Sequence, residues 1–359
     1  MIKFLAIIPL YKFFRRFRFP KLLPFNITVS PTFKCNSLCR TCKVYQRKSV
    51  ELSKLEWARI FKSLGRSVNW ITFSGGEPFL KKDIVDIVKS AYEQCHPPVI
   101  NIPTNGLRHK IIPEKINQIA QQCPKSQIII NISIDEIGEK HDLIRGVKNS
   151  YASASLTLEK IKNLRCPNIT IGIHTVLSKF NCVRFSEIFK SIQKLHPDSY
   201  ITEIAEERVE LNTIGVDITP PADDYFRAIN FLMSQMKRQK FKGIARITQA
   251  FRFQYYEFVK QTLTEHRQII PCYAGFASAH IIPNGDVWMC CIKGEVIGNL
   301  KEVDFDFKKV WFSEKAEKIR KKIVNKECYC PLANAAYTNM LFNWSALFKV
   351  GMNLLRNHF

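Results

Sequence analysis

Residues 25–42 read Phe25-Asn26-Ile27-Thr28-Val29-Ser30-Pro31-Thr32-Phe33-Lys34-Cys35-Asn36-Ser37-Leu38-Cys39-Arg40-Thr41-Cys42. A short β-rich run opens the stretch, and three thiols then fall within eight residues. Helical spacing begins at 53–64, where Ser53 stands before Leu55 as a start signal. The same alternation repeats down the chain. β-Rich runs at 25–30, 69–74, 98–104, 127–135, 168–176 and 199–204 are separated by helical segments at 53–64, 81–93, 113–122, 151–164 and 182–195. Nearly continuous apolar runs suit parallel strands covered on one or both faces. Six alternating units predict an α/β fold, either a barrel or an open doubly wound sheet. In both, chemistry belongs at the C-terminal ends of the strands, where the thiol loop lies.

The whole chain bounds the reading. It has 359 residues, 46% of them hydrophobic, which excludes a disordered protein. Twelve cysteines are too sparse for a small disulfide scaffold. The longest nearly unbroken apolar run, residues 4–11, falls well short of the ~20 residues a spanning helix needs. In a secretory signal, basic residues precede the apolar stretch; here Lys12, Arg15, Arg16, Arg18 and Lys21 follow it. A reducing cytoplasm is the expected compartment, and the cysteines read as metal ligands or buried thiols. With 54 Lys+Arg against 31 Asp+Glu the net charge is +23, yet no nucleic-acid motif stands out.

Cys35, Cys39 and Cys42 supply three donors and leave one coordination position open, as a reactant-binding centre requires. A zinc site borrowing a fourth ligand is the alternative. The Cys-x3-Cys-x2-Cys loop after the first strand resembles the signature of the radical S-adenosylmethionine (SAM) superfamily. The resemblance implies a partial (β/α)6 TIM-type barrel, with a 4Fe-4S cluster on the three cysteines. SAM chelates the fourth iron in that family, and its reductive cleavage yields a 5′-deoxyadenosyl radical that takes hydrogen from substrate. Ser74-Gly75-Gly76-Glu77-Pro78 resembles the segment that contacts the SAM amino group. Asn105 ends the third strand; Ser133 and Asp135 resemble ribose-contacting positions; Arg145 resembles the partner of the SAM carboxylate, a task suited to guanidinium. Thr41 stands where many members carry an aromatic residue.

A second set follows. Cys272-x12-Gly285-x4-Cys290, with Cys328 and Cys330 downstream, resembles the SPASM or twitch extension that holds auxiliary clusters. Four thiols support one auxiliary 4Fe-4S cluster. Cys291 adjoins Cys290, and strand alternation sends the two to opposite faces, with the glycine spacing favouring Cys290. Cys95, Cys123, Cys166 and Cys182 read as buried small hydrophobes. The organisation expected is a basic amphipathic segment (1–24), the barrel (25–220), a helical connection (221–270), a small auxiliary-cluster domain (271–335) and an amphipathic helix (336–359).

For substrate chemistry, Glu203 and Glu206 follow the sixth strand and are the candidate catalytic carboxylates; a solvated face is the alternative. His174 is expected in a core role, and the aromatics from Phe251 to Phe258 in core packing. At the N-terminus helical phasing groups Leu10, Phe13, Phe14 and Phe17, with Lys12, Arg15 and Arg16 opposite. Such termini suit either peripheral contact with an anionic membrane or packing back on the barrel. The expectation is a radical SAM enzyme acting on a small-molecule or lipid-like substrate at the membrane face. It would draw electrons from a donor such as flavodoxin or ferredoxin. A peptide-modifying maturase and a non-enzymatic iron–sulfur or zinc protein are the alternatives.

Overall fold

A computed structural model describes residues 2–240 and 243–356; the side chains of 2–5, 243, 244 and 356 also lie outside the described residues. Six parallel strands form in the predicted order: β1 (Asn26–Thr32), β2 (Trp70–Gly75), β3 (Val99–Thr104), β4 (Gln127–Ser133), β5 (Ile169–Leu177) and β6 (Ser199–Ile204). Helices connect them, and the two start signals read from the sequence are used. Ser53 caps Lys54–Leu64 in a reciprocal capping box with Glu56, and Pro113 sits in the first turn of Ile112–Gln122.

The strands are less continuously apolar than the sequence reading expected. They alternate. Ile100 and Ile102 of β3, and Ile128, Ile130 and Ile132 of β4, are fully buried against the helices. Their neighbours face a central cavity: Asn26 and Thr28, Trp70, Thr72 and Ser74, Asn101, Asn131 and Ser133, His174, and Glu203. Period-two alternation turns these five isoleucines outward and brings amide, hydroxyl and charge inward, together with Ile129 and Ile201. His174 therefore belongs to the lumen rather than to the core role expected for it.

The C-terminal region is continuous with the barrel sheet. β7 (Ser278–Ile281) pairs parallel to β1, and β8 (Asp286–Trp288) and β9 (Val296–Asn299) extend it antiparallel. The full sheet has nine strands in the order β6-β5-β4-β3-β2-β1-β7-β8-β9. The turn joining β7 to β8 is the predicted Pro283–Asp286 hairpin; Gly285 supplies its positive φ of 93°.

Helices 243–265 and 333–341 reach β6 and β1 respectively. Arg252 donates to the Tyr200 carbonyl at 3.1 Å, and Asn26 donates to Thr338 Oγ1 at 3.1 Å. The aromatic stretch expected at Phe251–Val259 is the middle of that 23-residue helix. Of its aromatics only Phe251 lines the main cavity; Phe253, Tyr255, Tyr256 and Phe258 join a second core with Tyr225 and Phe185.

Both termini fold back. The helix Ile2–Phe17 continues through Pro9 and buries Ile8, Tyr11 and Phe14. Of the four residues expected on its apolar face, Phe14 alone is buried; Leu10, Phe13 and Phe17 are exposed. The docking face is rotated from the predicted one, because Tyr11 and Phe14 stack against Phe342 and Phe276. No helix among the described residues is long and apolar enough to cross a membrane.

Candidate active site and second thiol pocket

The thiol loop is clamped from two sides. Leu38 N–H donates to the Arg145 carbonyl and Arg40 N–H to Ile144, at 2.9 and 2.8 Å. Gly76 N–H donates to Thr32 and Glu77 N–H to Lys34, both at 2.9 Å. These contacts explain the glycines. A Cβ on Gly76 would lie 2.2 Å from the Lys34 carbonyl oxygen, and one on Gly75 would lie 2.5 Å from that of Thr32. The close approach that Gly75-Gly76 permits is to the backbone of the thiol loop itself.

Cys35, Cys39 and Cys42 all line a cavity of about 550 Å³ that runs down the lumen. Donors converge on the sulfurs: Ser37 N–H lies 3.5 Å and Asn105 Nδ2 3.9 Å from Cys35 Sγ, and Arg145 Nη1 3.8 Å from Cys39 Sγ. Burial pushes the Cys35 thiol up to about 11 and raises Cys39 and Cys42 as well. Loading a metal here must therefore release protons. Among the described residues no three His, Cys, Asp or Glu side chains close on a single ion. Thiols spread round a cavity fit a multi-iron cluster better than one tetrahedral zinc.

The other predicted positions gather here too, with roles the sequence did not assign. Gly75, Gly76, Glu77, Asn105, Ser133 and Arg145 line the cavity; Asp135 is buried behind them. Glu77 accepts from Phe79 N–H at 3.2 Å, Thr104 Oγ1 at 2.9 Å and Asn105 N–H at 2.8 Å, tying β2 to β3. Burial nonetheless pushes its carboxyl up to about 7. Asp135 pairs with Arg145 Nε at 2.8 Å and accepts from Val176 N–H at 2.9 Å. Burial opposes the Arg145 charge, but Asp135 and Cys39 outweigh it and hold the group fully protonated. Thr41 lines the same cavity.

Glu203 and Glu206 are neither solvated nor free. Arg208 Nη2 lies 3.3 Å from Glu203 and 3.2 Å from Glu206, while His174 Nε2 lies 3.6 Å from Glu203. Burial pushes the Glu206 carboxyl up to about 7 despite Arg208. Burial also works against the Arg208 charge, and the two carboxylates outweigh it. Arg208, Glu210, Arg252 and Tyr337 line the cavity but were not singled out from sequence. Arg208 carried one signal, as the single cation inside an acidic run.

A smaller pocket of about 150 Å³ holds the second set: Cys272, Cys290, Cys328 and Cys330 line it together. Cys291 lines the main cavity instead, so the adjacent thiols, which lie in the turn after β8 rather than on a strand, are divided between two sites. Burial raises all four, Cys272 to about 12. Of the remaining cysteines, Cys95, Cys123 and Cys182 are buried as expected, whereas Cys166 is partly exposed and donates to Asn117 Oδ1 at 3.3 Å.

Comparison with known proteins agrees with this geometry. Residues 29–192 match the radical SAM superfamily and residues 272–331 the SPASM iron–sulfur cluster-binding domain. The chain is 28% identical over 170 residues to an S-adenosylmethionine-dependent nucleotide dehydratase of Selenomonas ruminantium, covering 44% of this chain and 58% of that one. It is 28% identical over 172 residues to the sporulation killing factor maturation protein SkfB of Bacillus subtilis, covering 46% and 39% respectively. The chain thus spans about half the length of these relatives. Among solved structures, anSMEcpe with bound AdoMet and a peptide superposes with a TM-score of 0.57 at 14% identity, over 92% of this chain and 99% of that one. Streptococcus suis SuiB bound to S-adenosylmethionine gives 0.58 at 17% identity, over 83% and 68%. Those likenesses show a shared fold. With both cysteine sets matched in place, this chain belongs to the radical SAM superfamily and carries a C-terminal SPASM iron–sulfur domain.

Proposed function

We propose that this radical SAM enzyme abstracts a hydrogen atom from a peptide substrate held in the barrel lumen. The observation that carries the reading is the run of side-chain amides and hydroxyls (Asn26, Thr28, Thr72, Asn101, Asn131), bonded in part to one another and set among apolar Ile129, Val176 and Ile201 along the cavity wall. A mixed wall of this kind suits a peptide, which brings both amides and apolar side chains, better than an acyl chain with no polar group to offer. The amide run therefore favours the peptide alternative over the lipid-like substrate expected from the termini. SkfB, named as a maturation protein, points the same way.

In this reading Cys35, Cys39 and Cys42 hold the 4Fe-4S cluster, and Cys272, Cys290, Cys328 and Cys330 hold one auxiliary cluster. When bound and reduced, the first cluster and SAM supply a 5′-deoxyadenosyl radical. Ser133, Asn105 and Arg145 orient the cofactor beside the thiols, and Asp135 holds Arg145 in place. Glu206, poised near neutrality, holds or releases a proton at its carboxyl, while Arg208 keeps both carboxylates facing the lumen. Radical SAM chemistry requires a reductant, and a flavodoxin or ferredoxin suits that part.

The test uses anaerobically reconstituted protein with SAM and dithionite. A peptide extract from cells lacking the gene should raise 5′-deoxyadenosine release over the no-substrate rate, and protease treatment of the extract should abolish the increase. Stimulation that survives protease and partitions into chloroform would replace the peptide with a lipid.

A further inference from the structure

The two terminal helices are covered on one side only. Fifteen large hydrophobic residues are exposed among the described residues, and seven belong to these segments: Leu10, Phe13, Phe17, Phe19, Trp344, Phe348 and Leu355. In the helix Ile2–Phe17, Phe13 is 55% and Phe17 63% exposed, their rings 5.4 Å apart, on the arc opposite buried Ile8, Tyr11 and Phe14. In the helix Trp344–Arg356, Ala346 and Val350 face the core, while Trp344, Phe348 and Leu355 follow one line along the outside. The helices adjoin: Lys12 Nζ sits 5.5 Å from the centre of the Trp344 ring.

Charge identifies what covers this face. Residues 1–24 carry six Lys and Arg and no Asp or Glu; residues 332–359 carry Lys349 and Arg356 and again no acid. Two of these cations are turned to the protein, Arg15 on the Cys272 carbonyl at 3.0 Å and Arg18 on Glu317. Of the others whose side chains are described, Lys12, Arg16, Lys21 and Lys349 lie around the apolar stripes, the last three exposed. A second copy is a poor partner, because two-fold pairing would set this cationic face against itself. An anionic surface with an apolar interior matches both features.

We propose that the two terminal helices form one docking face for an anionic phospholipid bilayer. The exposed phenylalanines, Leu10, Trp344 and Leu355 enter the headgroup–acyl boundary, and Lys12, Arg16, Lys21 and Lys349 lie at phosphate level. The helices lie in the interface plane and do not span it, in keeping with their length and composition. Helix 333–341, which lines the cavity through Asn334, Tyr337 and Thr338, runs into the docking helix three residues later. Docking thus sets the bilayer beside the cavity wall, whatever the substrate.

The test is flotation of the reconstituted full chain with vesicles of phosphatidylcholine alone or with about one-third phosphatidylserine. Recruitment by the anionic vesicles should exceed that by the neutral ones about tenfold and weaken as salt is raised. The double variant Phe13→Glu, Phe348→Glu should lose it while keeping iron content and 5′-deoxyadenosine release. Changing Lys12, Arg16, Lys21 and Lys349 to Gln should reduce recruitment to the neutral-vesicle level. Recruitment indifferent to these substitutions overturns the proposal. So does a dimer in sedimentation that Phe348→Glu dissolves, with no vesicle binding, which would assign the face to a second copy.

Discussion

Two thiol pockets stand one peptide bond apart and differ in kind. The first presents the three cysteines of one loop, with Cys291 apart from them, to a large cavity that also admits Arg145, Glu203, Glu206 and Arg208. The second presents four cysteines to a pocket roughly a quarter the size, lined by Met289, Ile319 and Ile323 as well as by charged residues at its rim. Cys290 belongs to the second and Cys291 to the first. Three donors leave a site that can take up a reactant; four leave a closed site suited to structure or electron transfer. The loop after β6 ties the two together, with Val209 and Glu210 N–H donating to the Ile292 and Cys291 carbonyls, each at 3.1 Å.

The contrast can be broken most severely at the open site. Cys39→Ala should drive 5′-deoxyadenosine release below detection while the second pocket keeps its iron; release from that variant would end the distinction. Next in size is the pair Cys290→Ala and Cys291→Ala. The first should lower iron from about eight to about four per chain, and the second should leave it unchanged. Equal losses by iron assay and absorbance would show that the two thiols do not serve separate pockets.

Stability effects are smaller. Asp135→Asn leaves the Arg145 guanidinium buried without its carboxylate and should cost about 3 kcal/mol, read from the urea midpoint. A wild-type midpoint would mean that Arg145 finds compensation elsewhere. The smallest effect concerns pH. Burial raises the Glu206 pKa from 4.5 to about 7, so the folded chain holds that proton more tightly than the unfolded chain. Its contribution is fully present below about pH 4.5 and is lost as pH rises through 7, by at most about 3 kcal/mol. Glu206→Gln should flatten that slope in denaturation measured between about pH 5 and 7; an unchanged slope would show that Arg208 already neutralises the effect.

Much of the open site was legible because its ligands are close in sequence. Cys35, Cys39 and Cys42 share one loop, and Gly75-Gly76-Glu77 ends the next strand, so spacing alone brings them together. The lumen was less visible. Reading 98–104 and 127–135 as apolar runs hid the alternation that puts Asn101 and Asn131 inside and five isoleucines outside. Glu77 and Asp135 carried no sign that backbone amides, a hydroxyl and Arg145 would occupy their oxygens.

Local spacing and strand period suffice for the six βα units, the thiol loop at the end of the first strand and the second cysteine set. The folded arrangement, by contrast, sets which face of each terminal helix is buried. Helical phasing names an amphipathic arc, but the neighbours available fix the docked side: Phe342 and Phe276 took Tyr11 and Phe14 and left Phe13 and Phe17 outside. It also decided that β7 pairs with β1 across some 250 intervening residues, joining the SPASM region to the barrel in one sheet. Contacts between distant segments leave no period in the chain, and the partition of Cys290 from Cys291 into two pockets is their consequence.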